Sequence, residues 1–224
     1  MTDLKEMPDD TDKTHMILRC QCGAEEVTRQ IVPKTHKYYS FICQSCREAM
    51  EREAESRLKE HLFLNSIPPK YREVKKPLYK NIVDSTLSIV YGEYGTGKTW
   101  EAYAILKSLY LSGKVETYKM FTELGLTKYL KSGFRDETFD IKIEECKNCD
   151  LLIIDEYAKG TDTEFNMSHV YDILNYRYDW DKKTILICNA TTIEELYKLI
   201  TGAILDRFRE CIVHIGGKSK RYKK

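Results

Sequence analysis

The sequence predicts an α/β fold: a five-stranded parallel sheet flanked by helices and built around a P-loop, with a small cysteine-bearing module and a connector helix ahead of it. Three observations predict it. From Tyr71 onward, short apolar runs alternate with stretches at helical spacing, which implies a parallel sheet covered on both faces. The first run leads into Gly92-Glu93-Tyr94-Gly95-Thr96-Gly97-Lys98-Thr99, which fits the pattern G-x-x-x-x-G-K-[ST]. Two close cysteine pairs, Cys20/Cys22 and Cys43/Cys46, stand near the N-terminus with twenty residues between them.

Taken in order, residues 1–14 are acidic and nearly free of apolar side chains, so disorder is expected there. Residues 15–46 read as a zinc module. Two short-spaced pairs can converge on one tetrahedral Zn²⁺, with Cys20, Cys22, Cys43 and Cys46 as thiolate ligands at ~2.3 Å. Val27, Ile31, Val32, Tyr38, Tyr39, Phe41 and Ile42 suffice for a hairpin-rich knuckle but not for a core. A module this small needs a metal to fold. The alternative is that these are free core thiols. His15 and His36 are substitutes in principle, but four cysteines already complete the set. Residues 47–66 read as a charged connector helix, and Pro68-Pro69 ends it. The nucleotide domain fills 67–224.

Within that domain strands are expected near 86–91, 115–119, 151–155, 184–189 and 210–215. Helices are expected near 98–112, 122–132, 164–179, 192–201 and 203–209. The P-loop dictates its own chemistry. Glycines let backbone N–H groups approach the phosphates of ATP or ADP, and the following helix aims its positive end at them. Lys98 would reach the β- and γ-phosphates and Thr99 would ligate Mg²⁺. Trp100 follows directly and is counted with the nucleotide cradle.

Leu151-Leu152-Ile153-Ile154-Asp155-Glu156 is a buried strand that ends in two acids. Asp155 would hold Mg²⁺ through water, and Glu156 would orient or deprotonate the attacking water. The bland alternative is an acidic turn after a core strand. Thr184 to Asn189 is another apolar strand with a polar end. Asn189 would contact the γ-phosphate or the water, or would cap the helix near Thr192. In Ile204-Leu205-Asp206-Arg207-Phe208-Arg209, Arg207 would stabilise the γ-phosphate of a neighbouring subunit, or would pair on the surface with Asp206 or Glu210; Arg209 is the other candidate finger.

Lys128, Lys131, Phe134 and Arg135 interleave cations with aromatics as single-stranded DNA requires; the alternative is an amphipathic helix with Tyr129 and Phe134 in the core. The basic tail from Lys218 to Lys224 reads as solvated. Cys146/Cys149 stands alone as a pair and reads as structural, as do Cys188 and Cys211 within apolar runs.

Thirty-six Lys and Arg balance 35 Asp and Glu, so bulk charge does not argue for nucleic-acid binding and only local patches can. No apolar run approaches the ~20 residues of a membrane span, and the polar N-terminus lacks signal-peptide order. A cytoplasmic protein with no membrane partner is expected.

The P-loop, the Asp155-Glu156 strand, the Cys188-Asn189 strand and Leu205-Asp206-Arg207-Phe208, in this order and spacing, resemble an AAA+ ATPase. More narrowly, residues 67–224 resemble the bacterial and phage replicative helicase loaders of the DnaC/DnaI type and the related IstB transposition helpers. Ile67-Pro68-Pro69-Lys70-Tyr71-Arg72 matches that family's I-P-x-x-[YF]-R entry. Gly217-Lys218-Ser219-Lys220-Arg221 is similar to its terminal G-x-S-Y-R, with Lys220 where an aromatic is usual. The resemblance implies that the C-terminal helical lid of most AAA+ proteins is missing. It implies Asn189 as sensor, Arg207 as a finger in trans and Arg221 near the nucleotide. It also implies ATP-dependent self-association, contact between the 128–135 region and single-stranded DNA, and a zinc module that grips a hexameric replicative helicase. The expected function is an ATP-dependent helicase loader in DNA replication, released on hydrolysis. The alternatives are an IstB-like ATPase serving a transposase and a DNA-binding adaptor with structural nucleotide.

Overall fold

Near-continuous apolar strands need cover on both faces, and the chain provides it. The structure is a computed structural model and describes residues 5–7, 15–28, 42–159 and 164–217. The chain divides into two compact units, Met1–Leu62 and Phe63–Lys224.

In the first unit, β1 (Lys5–Met7), β2 (His15–Arg19) and β3 (Glu25–Thr28) form an antiparallel sheet in that order. Lys5 pairs with Ile17, and Arg19 pairs with Glu25 across the turn that carries Cys20 and Cys22. The disorder expected for 1–14 therefore does not hold at Lys5–Met7, where ladder bonds to β2 outweigh the polar composition. Helix α1 (Gln44–Ser66) starts three residues earlier than the connector predicted from Arg47, and Cys46 lies in its first turn. The boundary between units falls inside this helix, at 62/63, and not after residue 66. Phe63 explains this: it is buried against Tyr110 and Tyr118, at centroid distances of 5.5 and 6.2 Å.

After the end of α1, the second unit continues with a 3-10 turn at Pro69–Tyr71 and α2 (Lys80–Asp84). There follow β4 (Leu87–Gly92), α3 (Lys98–Leu111), β5 (Tyr118–Thr122), α4 (Glu123–Ser132), α5 (Phe139–Asn148), β6 (Leu151–Tyr157) and α6 (Glu164–Asp179). The last elements are β7 (Lys183–Asn189), α7 (Ile193–Leu199), α8 (Gly202–Phe208) and β8 (Ile212–His214). The five strands are parallel in the order β5-β6-β7-β4-β8. Leu87 pairs with Thr184, so β4 lies against β7 although most of the domain separates them in sequence.

Alternation along each strand divides the core in two. Val90, Ile153, Ile185 and Ile187 face one side with Ile105, Leu106 and Leu109 of α3. Ile89, Leu152, Ile154, Leu186 and Cys188 face the other, under α4 to α8. Cys188 and Cys211 are both buried. Arg177 on α6 is fully buried and ties this second layer together. It donates to the carbonyls of Cys146, Lys147 and Cys149 at the end of α5, to Lys183 O and to Thr184 Oγ1. Burial pushes the Cys146 thiol up to about 12 and raises that of Cys149, so this pair is structural and not poised for thiolate chemistry.

Further differences from expectation lie in the second unit. Strand β5 runs over 118–122 and not 115–119, because the Asp150 carboxylate takes the N–H groups of Glu116 and Thr117 at 3.0 and 2.8 Å and fixes them outside the ladder. Helix α5 was not anticipated: only Ile143 and Cys146 are buried in a stretch dominated by charge. Among the described residues, no helix is long and apolar enough to cross a membrane.

Candidate active site

Parallel strands present their carboxyl ends to one rim, and three of them converge there with the P-loop. Gly92 closes β4 at φ 155°, and a Cβ there would meet Ile215 O at 2.1 Å. Gly97 caps α3 at φ 106°. Lys98 is buried and donates to the carbonyls of Gly92 and Glu93 at 2.8 and 2.7 Å, while Thr96 donates to Glu93 O at 3.0 Å. The loop thus holds its own lysine on its inner side.

Thr99 Oγ1 donates to Asp155 Oδ2 at 2.8 Å, which brings two hard oxygen ligands from different elements to one point. That donor set fits Mg²⁺, which takes oxygen ligands and keeps several waters. The other Asp155 oxygen accepts from the N–H of Glu156 at 2.8 Å. Glu156 lies in the left-handed region at φ 53°, as does Ala158 at φ 61°. Such backbone is uncommon outside glycine and clusters at functional sites. The Glu156 carboxylate accepts from Lys159 Nζ at 3.1 Å, and the Lys159 N–H reaches Glu123 at 3.3 Å.

These groups open on a pocket of about 410 Å³. Of the expected residues, Tyr94, Gly95, Gly97, Lys98, Thr99, Trp100, Asp155, Glu156 and Asn189 line it. Gly92, Glu93 and Thr96 do not line it; the carbonyls of the first two hold Lys98, and Thr96 bonds back to Glu93. Thr192, accepting from Glu195 N at 3.2 Å, caps α7, so Asn189 is not the cap and lies in the pocket wall. Lys70, Tyr71 and Thr122 also line the pocket and were not singled out as site residues. Tyr71 stacks on Tyr103 at 4.2 Å and 22°, meets Trp100 edge-on at 5.7 Å, and carries Lys70 Nζ 4.5 Å above its ring. Glu101, buried one turn into α3, accepts from the N–H groups of Leu78 and Tyr79 at 2.7 and 2.9 Å. It thereby anchors the entry segment to the P-loop helix. The motif around Tyr71 was visible in sequence, but its approach to the pocket depends on this tertiary tie.

Arg207 does not line this pocket. It sits on α8 between the rings of Tyr171 and Tyr178. Arg209 is exposed and pairs with Asp206 at 3.1 Å. Arg221 and the basic tail from Lys218 lie outside the described residues.

Lys128 and Lys131 are exposed on α4, and Phe134 and Arg135 are exposed beyond it. Phe134 is 59% exposed and stacks on Phe139 at 4.2 Å and 13°, with Phe165 edge-on at 6.0 Å. Lys131 Nζ lies 4.8 Å above the Phe165 ring. Tyr129 instead turns inward: it stacks on Phe121 at 5.0 Å and its hydroxyl donates to Glu145. Of the two aromatics, only Phe134 belongs to the outer surface. Phe139, Phe165 and His169 complete a patch that spacing alone did not reveal.

In the first unit, the sulfurs of Cys20, Cys22, Cys43 and Cys46 all lie within 4.8 Å of one another, close to the ~3.8 Å edges of a tetrahedral Zn–S₄ centre. The Ser45 hydroxyl, the Cys46 N–H and Cys22 lower the Cys43 thiol to about 6. Backbone N–H groups of Cys22 and Cys43 lower that of Cys20. The neighbouring sulfurs push Cys46 up to about 12. Four sulfurs crowded in this way favour a cation among them. No other cluster of three or more His, Cys, Asp or Glu side chains this close together occurs among the described residues.

A family model described as "IstB-like ATP binding protein" matches residues 69–224. The replicative helicase loader DnaC of Escherichia coli strain K12 is 29% identical over 120 residues, which are 53% of this chain and 48% of that protein. The chain thus spans about half the length of the curated relatives it matches. A crystal structure of the DnaC helicase loader shares the fold with a TM-score of 0.51 at 20% identity, over 81% of this chain and 95% of that one. AMPPCP-bound DnaA from Aquifex aeolicus gives a TM-score of 0.52 at 19% identity, over 61% of this chain and 44% of that one.

Proposed function

The chain belongs to the family of IstB-like ATP binding proteins, and from that premise we propose that it is a cytoplasmic, Mg²⁺-dependent ATPase that loads a replicative helicase onto single-stranded DNA. The observation that carries the reading is the Thr99–Asp155 hydrogen bond, beside Glu156 and Asn189, at the mouth of the P-loop pocket. It joins the phosphate-binding and water-activating halves of one hydrolytic site.

Lys98 would turn from the loop carbonyls to the β- and γ-phosphates. Thr99 and Asp155 would hold Mg²⁺, which when bound neutralises phosphate charge. Glu156 would accept the proton as water oxygen bonds to the γ-phosphorus and the β–γ bridging bond breaks, giving ADP and phosphate. That role requires Glu156 to exchange Lys159 for the water. Asn189 would orient the water or the γ-phosphate. The rings of Tyr71 and Trp100 would flank the base. Arg207 would complete the site of a second copy, so turnover would require self-association.

The four-cysteine cluster would hold one Zn²⁺ and order the N-terminal unit for docking on a hexameric helicase. The 29% identity to a replicative helicase loader supports that partner. Lys128, Lys131, Phe134 and Arg135 would take single-stranded DNA, cations on phosphates and Phe134 under a base. Hydrolysis would release the loader.

The second reading, a helper ATPase for a transposase, is favoured by the family description itself. One experiment separates the two: affinity purification of the chain from its host, with ATP turnover measured with and without single-stranded DNA. Recovery of the replicative helicase with DNA-stimulated turnover supports the loader. Recovery of a transposase without the helicase supports the helper. Absence of turnover under all conditions would leave a DNA-binding adaptor with structural nucleotide.

A further inference from the structure

Arg207 is held as ordinary surface arginines are not. Its guanidinium carbon lies 5.5 Å from the Tyr171 ring centroid and 5.4 Å from that of Tyr178. Nη1 donates to the Tyr171 hydroxyl at 3.2 Å and to Ala203 O at 3.1 Å. Nε is buried and has no hydrogen-bond partner among the described residues. Arg209, two residues on, behaves in the usual way: its side chain is 74% exposed and paired with Asp206.

Such a holding arrangement has a physical cost. A buried donor without an acceptor is destabilising, and among the described residues Arg207 makes no direct ion pair, although Asp179, Asp181, Asp206 and Glu210 line the cavity beside it. What Arg207 receives instead is orientation. Tyr171 and Tyr178 are seven residues apart on α6 and so share one helix face. Their faces attract a guanidinium, and a planar cation near two fixed rings loses its rotational freedom before any ligand arrives. Nη2 makes no hydrogen bond among the described residues. Arg207 and Tyr178 line a cavity of about 500 Å³ whose wall includes Thr86 and Leu87, at the amino end of β4. The P-loop follows the carboxyl end of the same strand, roughly 20 Å away for six residues. Arg207 therefore cannot serve its own nucleotide.

We propose that Tyr171 and Tyr178 are positioning residues that aim Arg207 at the nucleotide bound to a second copy of this chain. The proposal rests on the reading of the chain as an ATPase whose finger acts in trans. The rings would set the guanidinium plane in advance, so that its unbonded edge meets developing phosphate charge without reorganisation. A lysine at 207 has no plane to align and would not substitute.

The test uses the full chain with ATP and single-stranded DNA. Tyr178 is 44% exposed, so its replacement leaves the core intact. Tyr178→Leu is expected to lower turnover at saturating ATP about tenfold while ATP affinity stays unchanged, and Tyr178→Phe, which keeps the ring face, to stay within about twofold of the parent. Mixing Tyr178→Leu with Lys98→Ala is expected to restore turnover, because the second variant contributes a correctly held finger beside the first variant's intact P-loop. Arg207→Ala mixed with Lys98→Ala is the reference. If that reference recovers activity but Tyr178→Leu alone turns over like the parent, the positioning role is overturned and the trans finger stands. If Tyr178→Leu is slow and its mixture does not recover while the reference does, the ring serves some other purpose and the proposal is again overturned. If the reference itself fails in demonstrated mixed assemblies, the trans reading falls and takes this proposal with it.

Discussion

Replacing Gly92 by alanine tests whether the start of the P-loop is fixed by the strand beside it. The added methyl group would stand 2.1 Å from Ile215 O and 3.0 Å from its carbonyl carbon. A carbon–oxygen contact normally settles at about 3.3 Å, so one group must retreat by about an ångström. Neither is free to do so. Ile215 N–H donates to Tyr91 O at 2.8 Å, and Tyr91 is in register with His214. Movement of Ile215 loses that hydrogen bond, worth about 1 kcal/mol net. Alanine at φ 155° adds about 1–2 kcal/mol of backbone strain. The expected loss is therefore about 2–3 kcal/mol, a large part of a total stability of ~5–15 kcal/mol. Urea unfolding followed by circular dichroism measures it, and binding of a fluorescent ATP analogue reports the loop. Gly113→Ala is the control: φ is 75° there, but nothing lies within 4 Å of the new Cβ, so only the strain remains. Equal losses at the two positions, or a loss below about 0.5 kcal/mol at Gly92, would refute the clash argument.

Other perturbations have equally definite outcomes. Lys98→Ala should abolish ATP binding, whereas Glu156→Gln should retain binding and lose turnover; steady-state hydrolysis unchanged in Glu156→Gln would remove that carboxylate from the mechanism. Freshly purified protein should contain one zinc per chain by metal analysis. Chelation should unfold the N-terminal unit and leave nucleotide binding intact; full metal retention after replacement of both Cys43 and Cys46 counts against this ligand set. Arg177→Met should cost about 3–5 kcal/mol in chemical denaturation, because several buried carbonyls lose their donor while little volume changes. A change under about 1 kcal/mol would show that those carbonyls find other partners.

Much of the nucleotide domain was legible because its signals are local. A run such as Leu151–Ile154 can hardly be anything but a buried strand, and the acids that end it sit at the strand tip by construction. Lys98 and Thr99 open a helix because the motif requires it. What escaped depended on tertiary ties. Strand β5 was placed three residues early because Asp150, more than thirty residues on, claims the N–H groups that the apolar pattern assigned to the ladder. Helix α5 shows two buried side chains in ten, too few to mark a face. Tyr71 reaches the pocket through a stack on Tyr103 and a carboxylate on α3. Whether Tyr129 or Phe134 faced outward could not be read from an alternating cation–aromatic pattern, since each orientation exposes one ring.

The pairing of Leu87 with Thr184 also bears on how the chain is made. At ribosomal rates of about 5–20 residues per second, the partner of β4 emerges roughly 5–20 seconds after β4 itself. During that interval an apolar strand has neither of its neighbours, since β8 comes later still. Helix α3 is complete long before and offers Ile105, Leu106 and Leu109 to one face of the strand. The other face must wait. A nascent chain arrested between α5 and β7 should therefore recruit general chaperones, and one arrested beyond β8 should not.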